Sequence, residues 1–420
     1  MFKAASLVYA MVISVILAML SSSLILLSYF TTSQIEYYSE MNRVQLNASS
    51  GMRLLLAEQK IINSQERKSL DLFGKGVDSV TLEKRNWGAF EIGISNAYSK
   101  HHQFQQIAMM GGAYSEDSTI ALYLQDEDKP LSLCGKTVLK GTCVLPKAGV
   151  KRAYIEGQNF VGERLVDGRT IESEKQLPAV SKMFLENITS FFMNHPNEED
   201  NVVVYEETKD SVVNSFVGNT IFLFSPDKIK IENKKMIGNV VIISQKEIEI
   251  ASDAILQDII IYAPRIKVGR GFSGSLQIFA SDTLVVEEDC KFIYPSVLGL
   301  FRTEKSVDNP AMILNEKVEV KGVVLGYQDK FDNRKNLSIS IDNGCVIIGH
   351  VYCNGLLDLK GTVYGSVFCR KFILKTPSSV YENHLLNAVI DRILLPEYFV
   401  GFGLLEETKR KEIVKWLNGI

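Results

Sequence analysis

Positions 242, 248, 254, 260, 266, 272, 278, 284 and 290 are Ile, Ile, Ala, Ile, Ile, Phe, Ile, Leu and Cys, an apolar ladder of period six. A companion set stands two residues beyond each rung, from Ser244 and Ile250 through Val268 to Phe292, and most of it is apolar or small. An α-helix repeats about every 3.6 residues and a lone strand every two, so a sustained six predicts short strands joined by regular corners. Ile242, Ile260 and Ile278 lie eighteen apart, as do Ile248, Ile266 and Leu284, and Ile250, Val268 and Val286. Three six-residue sides per turn predict a β-solenoid with coils of ~18 residues, in which no coil buries its own face and stacking makes the core. Ile229 and Ile231 fit an earlier coil with a one-residue slip, matching Ile248 and Ile250.

The ladder resumes at Ile339, Cys345, Val351, Leu357, Val363 and Cys369, with Gly349, Gly355 and Gly361 at matching corners where a positive φ is easiest for glycine. Between the two runs, Gln328–Asn336 is polar and reads as a loop bulging from a coil. A fainter trace at Leu133, Leu139 and Leu145 predicts one coil ahead of a long insertion around residues 160–215. The stretch Gly344–Leu374, GCVIIGHVYCNGLLDLKGTVYGSVFCRKFIL, resembles the bactofilin β-helix in its glycine-punctuated short strands and G-x-V-x-G rhythm. That resemblance covers about residues 220–375 in pattern, and about thirty residues in detail.

Ala4–Phe30 holds no charged residue, and Asp, Glu, Lys and Arg stay absent until Glu36. The run is long enough to span a bilayer with tilt, and longer than a signal-peptide core; no A-x-A-like site follows it. An uncleaved anchor is therefore expected. Lys3 on its short side puts the N-terminus in the cytoplasm by the positive-inside rule, and the bulk in the periplasm or its equivalent beyond the inner (cell) membrane. From Thr31 to about Asn63 the apolar residues keep helical spacing at Ile35, Met41, Val44, Leu54 and Leu55. A long N-terminal helix projecting from the membrane resembles that of type IV pilins and pseudopilins. Its segment VQLNASSGMRLLLAEQ is similar to the small-residue stretch of minor pilins. A plain signal anchor is the alternative.

These readings divide the chain into a cytoplasmic stub and transmembrane helix (1–30), a helical extension (31–63) and a small α+β region (64–130). A partial coil with helical insertion (131–219), the β-helix (220–376) and a C-terminal helical cap (377–420) follow. The fold class is thus mainly β. In the α+β region, Trp87–Ile94 and Ile120–Leu124 predict strands and His101–Met109 a helix; residues 174–194 predict another helix, closed by the HPNEED loop at 195–200. Ser379-Val-Tyr-Glu382 is a capping box, and Leu385, Leu386, Val389, Ile390, Ile393 and Leu394 form one helical stripe before Pro396. A helix over 381–395 would cover the solenoid's last rung, or else dock on a partner or the membrane.

Chemistry is sparse. The net charge of −3 with mixed signs excludes a nucleic-acid footprint, which needs a basic face. Six cysteines in an extracytoplasmic region raise the question of disulfides. Cys345, Cys353 and Cys369 take inward ladder positions, where a free thiol packs as a small hydrophobe, while Cys134 and Cys143, nine apart in LCGKTVLKGTC, are the candidate disulfide; opposed strands of a hairpin would suit it, different sides of a coil would not. Gly269-Arg-Gly271-Phe-Ser-Gly274 matches a dinucleotide fingerprint by letter, but a ladder strand follows where that motif needs a helix, so it reads as a corner. His101-His102 lacks the neighbours a metal site needs. Glu247 and Glu249 stack on Arg265 and Lys267 one coil away, which fixes register rather than pairing an acid with a base, while Asp253, Asp258, Glu287 and Glu288 have no assignable partner. No catalytic, metal or cofactor site is expected. The expectation is a non-enzymatic structural component of a cell-envelope assembly, pilus- or secretion-associated, with the membrane, envelope proteins or further copies of itself as partners. The alternative is an anchored carbohydrate-active or carbohydrate-binding solenoid.

Overall fold

The structure, a computed structural model, describes residues 2–57, 67–72, 74, 76, 78–113, 120–193, 201–332, 335–401 and 410–417. The chain is mainly β with one long apolar N-terminal helix. It divides into two compact units, Met1–Lys84 with Ile94–Gln106, and Arg85–Gly93 with Ile107–Ile420.

In the first unit, α1 runs unbroken over Phe2–Ala57. Described side chains from Ser6 to Ser39 are exposed, and then Val44, Ala48, Met52 and Leu55 form a buried stripe at helical spacing. The stripe packs on β-residues because small side chains let the backbones approach. A Cβ on Gly51 would strike Ser95 Oγ, Leu82 and Val80, and Ser95 Oγ donates to the Ala48 carbonyl at 2.8 Å. Arg43 grips Asp78 with two nitrogens, at 2.6 and 3.1 Å. Strand β1 (Arg67–Leu70) pairs antiparallel with β2 (Ser79–Trp87), which a turn at Gly88 (φ 59°) connects to β3 (Phe90–Tyr98). Trp87–Ile94 is therefore two strand ends rather than one strand. The helix expected at His101–Met109 is instead β4 (Gln103–Ala113). Its residues Ile107 to Met110 are buried one after another, and a short continuous apolar run suits a helix as well as a strand. α1 ends at Ala57, and the expected extension beyond it falls outside the described residues, as does HPNEED.

In the second unit most strands pair in parallel, and the strand system closes on itself. One column reads Leu223, Ile242, Ile261, Ile278, Leu298, Val324, Val351 and Val367, each the in-register neighbour of the next. A second reads Ile229, Ile248, Ile266, Leu284, Met312, Ile339, Leu357 and Phe372, with offsets of 18 at Ile248–Ile266–Leu284 and Ile339–Leu357. All of these residues belong to one continuous core. Each fully buried Ile, Leu or Val contributes about 1.5–3 kcal/mol, so the columns dominate stability. The slip expected between Ile229 and Ile248 is present, and Ile120–Leu124 is a strand.

Three expectations fail, each for a local reason. Ile260 does not continue the Ile242 column. Asp258 adopts a left-handed φ of 58° at a register shift between Gln257 and Ile259, so Ile261 takes the core place and Ile260 pairs with Val241 and Gln277. Of the corner glycines, Gly349 has the expected positive φ and Gly355 and Gly361 do not; Gly322 and Gly365 share the conformation of Gly349. These three stack in register, and a Cβ on each would fall on the carbonyl oxygen of the residue one strand below. Finally, residues 381–395 form no helix. Val380–Glu382, His384–Leu386 and Val389–Asp391 are strands, separated by Asn383 and Asn387 at left-handed φ of 53° and 58°. Leu385 and Ile390 enter the core, while Ile393 and Leu394 stay exposed.

Chain order and stacking order also differ. Val367 pairs with Leu122, which pairs with Cys143; Ile390 lies between Val363 and Leu139. The strands around Leu133, Leu139 and Leu145 thus follow the last ladder strands in space, although they precede the first in sequence. From there the chain returns through α2 (Lys182–Met193), within the helix expected at 174–194. Phe191 of α2 stacks on Tyr262 at 4.7 Å between ring centroids, and Tyr123 Oη donates to the Gln176 carbonyl at 3.2 Å. The return segment therefore covers aromatic side chains on the outside of the array.

Replacing Gly349 by Ala should destabilise the chain by at least about 1–3 kcal/mol, because the backbone conformation is strained for any side chain and the clash is with backbone. Gly218→Ala, where an added Cβ meets nothing nearer than 3.8 Å, is the neutral comparison; thermal unfolding of the detergent-solubilised chain reads both.

Candidate functional site

The cysteines supply no nucleophile. All six are buried free thiols, and burial raises each of their pKa values, to about 12 for Cys143 and Cys353 and about 11 for Cys345. The candidate pair Cys134 and Cys143 lies on strands of different sheets. Cys134 neighbours Leu386, and Cys143 sits between Leu122 and Thr170. Among the described residues no group of three His, Cys, Asp or Glu side chains is placed to hold a metal ion. His101 and His102 lie at a turn where the His101 N–H donates to Glu40 Oε1 at 3.3 Å, a contact between α1 and the β3–β4 connection. Gly269–Gly274 forms a corner, with Gly271 at φ 77° and strand Ser273–Val286 immediately after it.

The outward carboxylates are held by cations. Arg265 bonds Glu247 at 3.2 Å as its register neighbour, and Lys228 bridges Glu247 and Glu249 at 3.0 and 2.6 Å. Lys228 is the main reason the Glu247 carboxyl titrates below its ordinary range, and Lys267 does the same for Glu287. Lys267 reaches Glu287 at 2.7 Å. These partly exposed pairs contribute about 0.2–1 kcal/mol apiece and tie Glu247, Glu249 and Glu287 to cations.

The most constrained polar cluster surrounds Asp258. Its side chain is fully buried, and both oxygens accept from Lys415 Nζ at 2.8 and 2.7 Å; Ser275 Oγ donates at 3.3 Å and Gln257 Nε2 at 3.2 Å. Lys415 belongs to the strand Arg410–Trp416, which pairs antiparallel with β4 at Ala108–Ala113. Beside Asp258, buried Gln277 accepts from the Ala89 N–H at 2.7 Å and donates to the Trp87 carbonyl at 3.0 Å. Gly88 between them has no room for a side chain, since a Cβ would strike Gln277 Oε1. Trp87 meets Phe216 edge-on at 5.0 Å, Arg85 donates to the Gly218 carbonyl at 2.9 Å, and Lys411 pairs with Glu91. The β2–β3 turn and the C-terminal strand are thus clamped to the flank of the parallel array by buried, directional bonds. Such a cluster fixes position; no atom in it is poised to react.

Sequence reasoning left Asp258 without a partner and passed over Gln277 and Lys415. The available signal was a polar residue inside an otherwise apolar strand, LQIFA, because a buried amide requires hydrogen-bond partners. Lys415 sits more than 150 residues from Asp258, and no local pattern links them.

His350 lies buried on the outward side, with Phe399 edge-on at 5.1 Å between centroids. Burial, reinforced by the charge of Arg392, lowers its pKa to about 3. The unfolded chain takes up this proton near 6.5 and the folded chain only near 3, so stability is retained above 6.5 and falls as pH drops through that window. The loss should reach on the order of 4 kcal/mol by pH 3, and His350→Leu should flatten the acid limb of an unfolding titration.

Lys415→Met leaves the Asp258 carboxylate buried without its cation and should cost roughly 3–5 kcal/mol. The double variant Asp258→Gly with Lys415→Met should recover much of that loss in urea unfolding, because glycine suits the left-handed φ and no charge remains buried. A double variant no more stable than Lys415→Met alone would mean the pair is not the clamp described.

Comparison with protein-family models, with curated proteins and with solved structures found no match to the chain.

Proposed function

We propose that this protein is a non-enzymatic structural subunit of a cell-envelope assembly. In this reading α1 anchors it in the inner (cell) membrane with its N-terminus in the cytoplasm, and the rest lies outside. The observation that carries the proposal is the division of labour along α1. The same unbroken helix is apolar and exposed from Ser6 past Phe30, then buries Val44, Ala48, Met52 and Leu55 against strands. Its apolar half meets the length and hydropathy needed to cross a bilayer, as a signal sequence near an N-terminus also does. Continuity into a packed half favours a retained anchor, because cleavage behind the apolar run would sever the helix that the strands pack on. A long helix half in the membrane and half projecting from it is also what the resemblance to type IV pilins and pseudopilins implies.

The body is read as a three-sided β-solenoid of ~18-residue coils, similar to the bactofilin β-helix. In-register pairs at Ile248–Ile266–Leu284 and the stacked Gly322, Gly349 and Gly365 support that reading, since both repeat once per coil. The 27- and 28-residue offsets at Ile339 and Met312 are the same coil with a loop inserted.

A reporter fused after Ile420 should be active only as an extracytoplasmic type, and activity of a cytoplasmic reporter would overturn the topology. Retention of the N-terminal apolar run in the mature chain, read by intact mass, would separate an anchor from a cleaved signal. Hydrolysis of a glycan by the purified full-length chain would refute the structural role.

A further inference from the structure

The β3–β4 hairpin lies along the packed half of α1 with its turn toward the apolar half. Ser95 bonds to Ala48, and Gln106 Nε2 donates to Ser49 Oγ at 3.2 Å, whereas the turn between them, Ser99–His102, reaches back to Tyr37 and Glu40. The Ser99 N–H closes that turn on the His102 carbonyl at 2.8 Å, and the Tyr37 ring meets His102 edge-on at 4.5 Å between centroids. Lys100 and His101 at the tip are exposed, and so are Tyr37 and Tyr38 on the helix.

The helix carries its own depth scale. Tyr9 and Tyr29 are exposed, and at 1.5 Å per residue they stand about 30 Å apart, the thickness of a hydrocarbon core. Aromatic residues collect at both edges of that core. Residues 4–35 hold no Asp, Glu, Lys or Arg. That run is about 48 Å long, and tilted by about 20° it covers about 45 Å, a bilayer with its headgroups. Both measures put Tyr29 and Phe30 at the edge of the hydrocarbon and Glu36 at the lipid surface. Tyr37 and Glu40 follow within about 6 Å of helix, so the turn they hold stands at that surface. The helix is unbroken from the apolar run to the turn, which leaves no joint to lift the hairpin away.

We propose that the Ser99–His102 turn rests on the phospholipid headgroup layer, with Lys100 against lipid phosphate and Tyr37 and Tyr38 among the headgroups. The inference rests on α1 crossing the bilayer. Lysine meets phosphate as a point charge, and tyrosine offers an apolar ring and a polar hydroxyl to a layer that is wet on one side. Of the neighbouring acids, Glu40 accepts from the His101 N–H at 3.3 Å, and Glu36 is exposed beside the tyrosines. A second contact beyond the span fixes the depth and tilt of α1, which the length of an apolar run alone does not set.

The test uses the full-length chain in phosphatidylcholine vesicles that carry a nitroxide lipid, labelled either in the headgroup or mid-chain. A fluorophore is attached at one introduced cysteine, since the six native thiols are buried. Ser22→Cys lies within the apolar run, His101→Cys at the turn, and Lys68→Cys on β1 opposite Leu82, which packs by Gly51. The mid-chain nitroxide should quench the Ser22 probe, and the headgroup nitroxide should quench the His101 probe severalfold more than the Lys68 probe. A helical insert of seven alanine, glutamate and lysine residues after Thr32 lifts the turn by about 10 Å in nearly the same helical phase, and His101 quenching should fall to the Lys68 level. Lys100→Glu should lower it roughly twofold. Ser22 quenched with His101 no more so than Lys68 would overturn this inference and leave the anchor standing, as would quenching that the insert and Lys100→Glu leave unchanged. An unquenched Ser22 probe would overturn the anchor itself, and this contact with it.

Discussion

Hydrogen bonding between parallel strands in register is the constraint on which the rest of the array depends. In an antiparallel pair, the identity of a residue's neighbour varies with the turn. Here each strand lies beside the strand one repeat away, so Ile248 meets Ile266 and Ile266 meets Leu284. Apolar columns, charge alternation at Glu247 and Arg265, and the glycine stack are three results of that one geometry. A side chain of the wrong type at any point is repeated against its neighbours rather than averaged away.

Register has to survive corners, and the chain manages this with residues that tolerate a left-handed backbone. Asp258, Asn383 and Asn387 do so outside glycine. Their polar side chains are put to use as well: Asp258 receives Lys415, Asn383 accepts from the Phe372 N–H at 3.1 Å, and Asn387 accepts from the Lys136 N–H at 2.8 Å. Shape and bonding are therefore set by the same residue, which is why the Asp258 position both shifts the register and holds the C-terminal strand.

This dual role also marks where the sequence was readable. Offsets of 18 were legible at Ile248, Ile266 and Leu284 because the register shift at Asp258 is undone by a second shift between Ala263 and Arg265. The Ile242 column was misassigned by one residue because an aspartate between apolar residues gives no sign of adopting a positive φ. The tail from Val380 to Asp391 read as helix because its apolar residues suit a spacing of three or four as well as three short strands. Two asparagines decided between them. The long apolar N-terminal helix was plain from composition, since a long uncharged run has few alternatives. The Asp258–Lys415–Gln277 cluster was not legible, because its members meet only after the array and the antiparallel strands have both formed.

The inversion between chain order and stacking order has a consequence for synthesis. Leu122 and Leu139 find their neighbours in Val367 and Ile390, about 250 residues later. At roughly 5–20 residues per second, that partner emerges some ten to fifty seconds after the strands that need it. During this interval the residues around Leu122, Leu133 and Leu139 are an apolar segment with one side unoccupied, while the strands from Ile221 onward can already stack on one another. Closure of the array thus waits on its last-made strands, and the nascent chain depends on whatever shields that segment until they arrive.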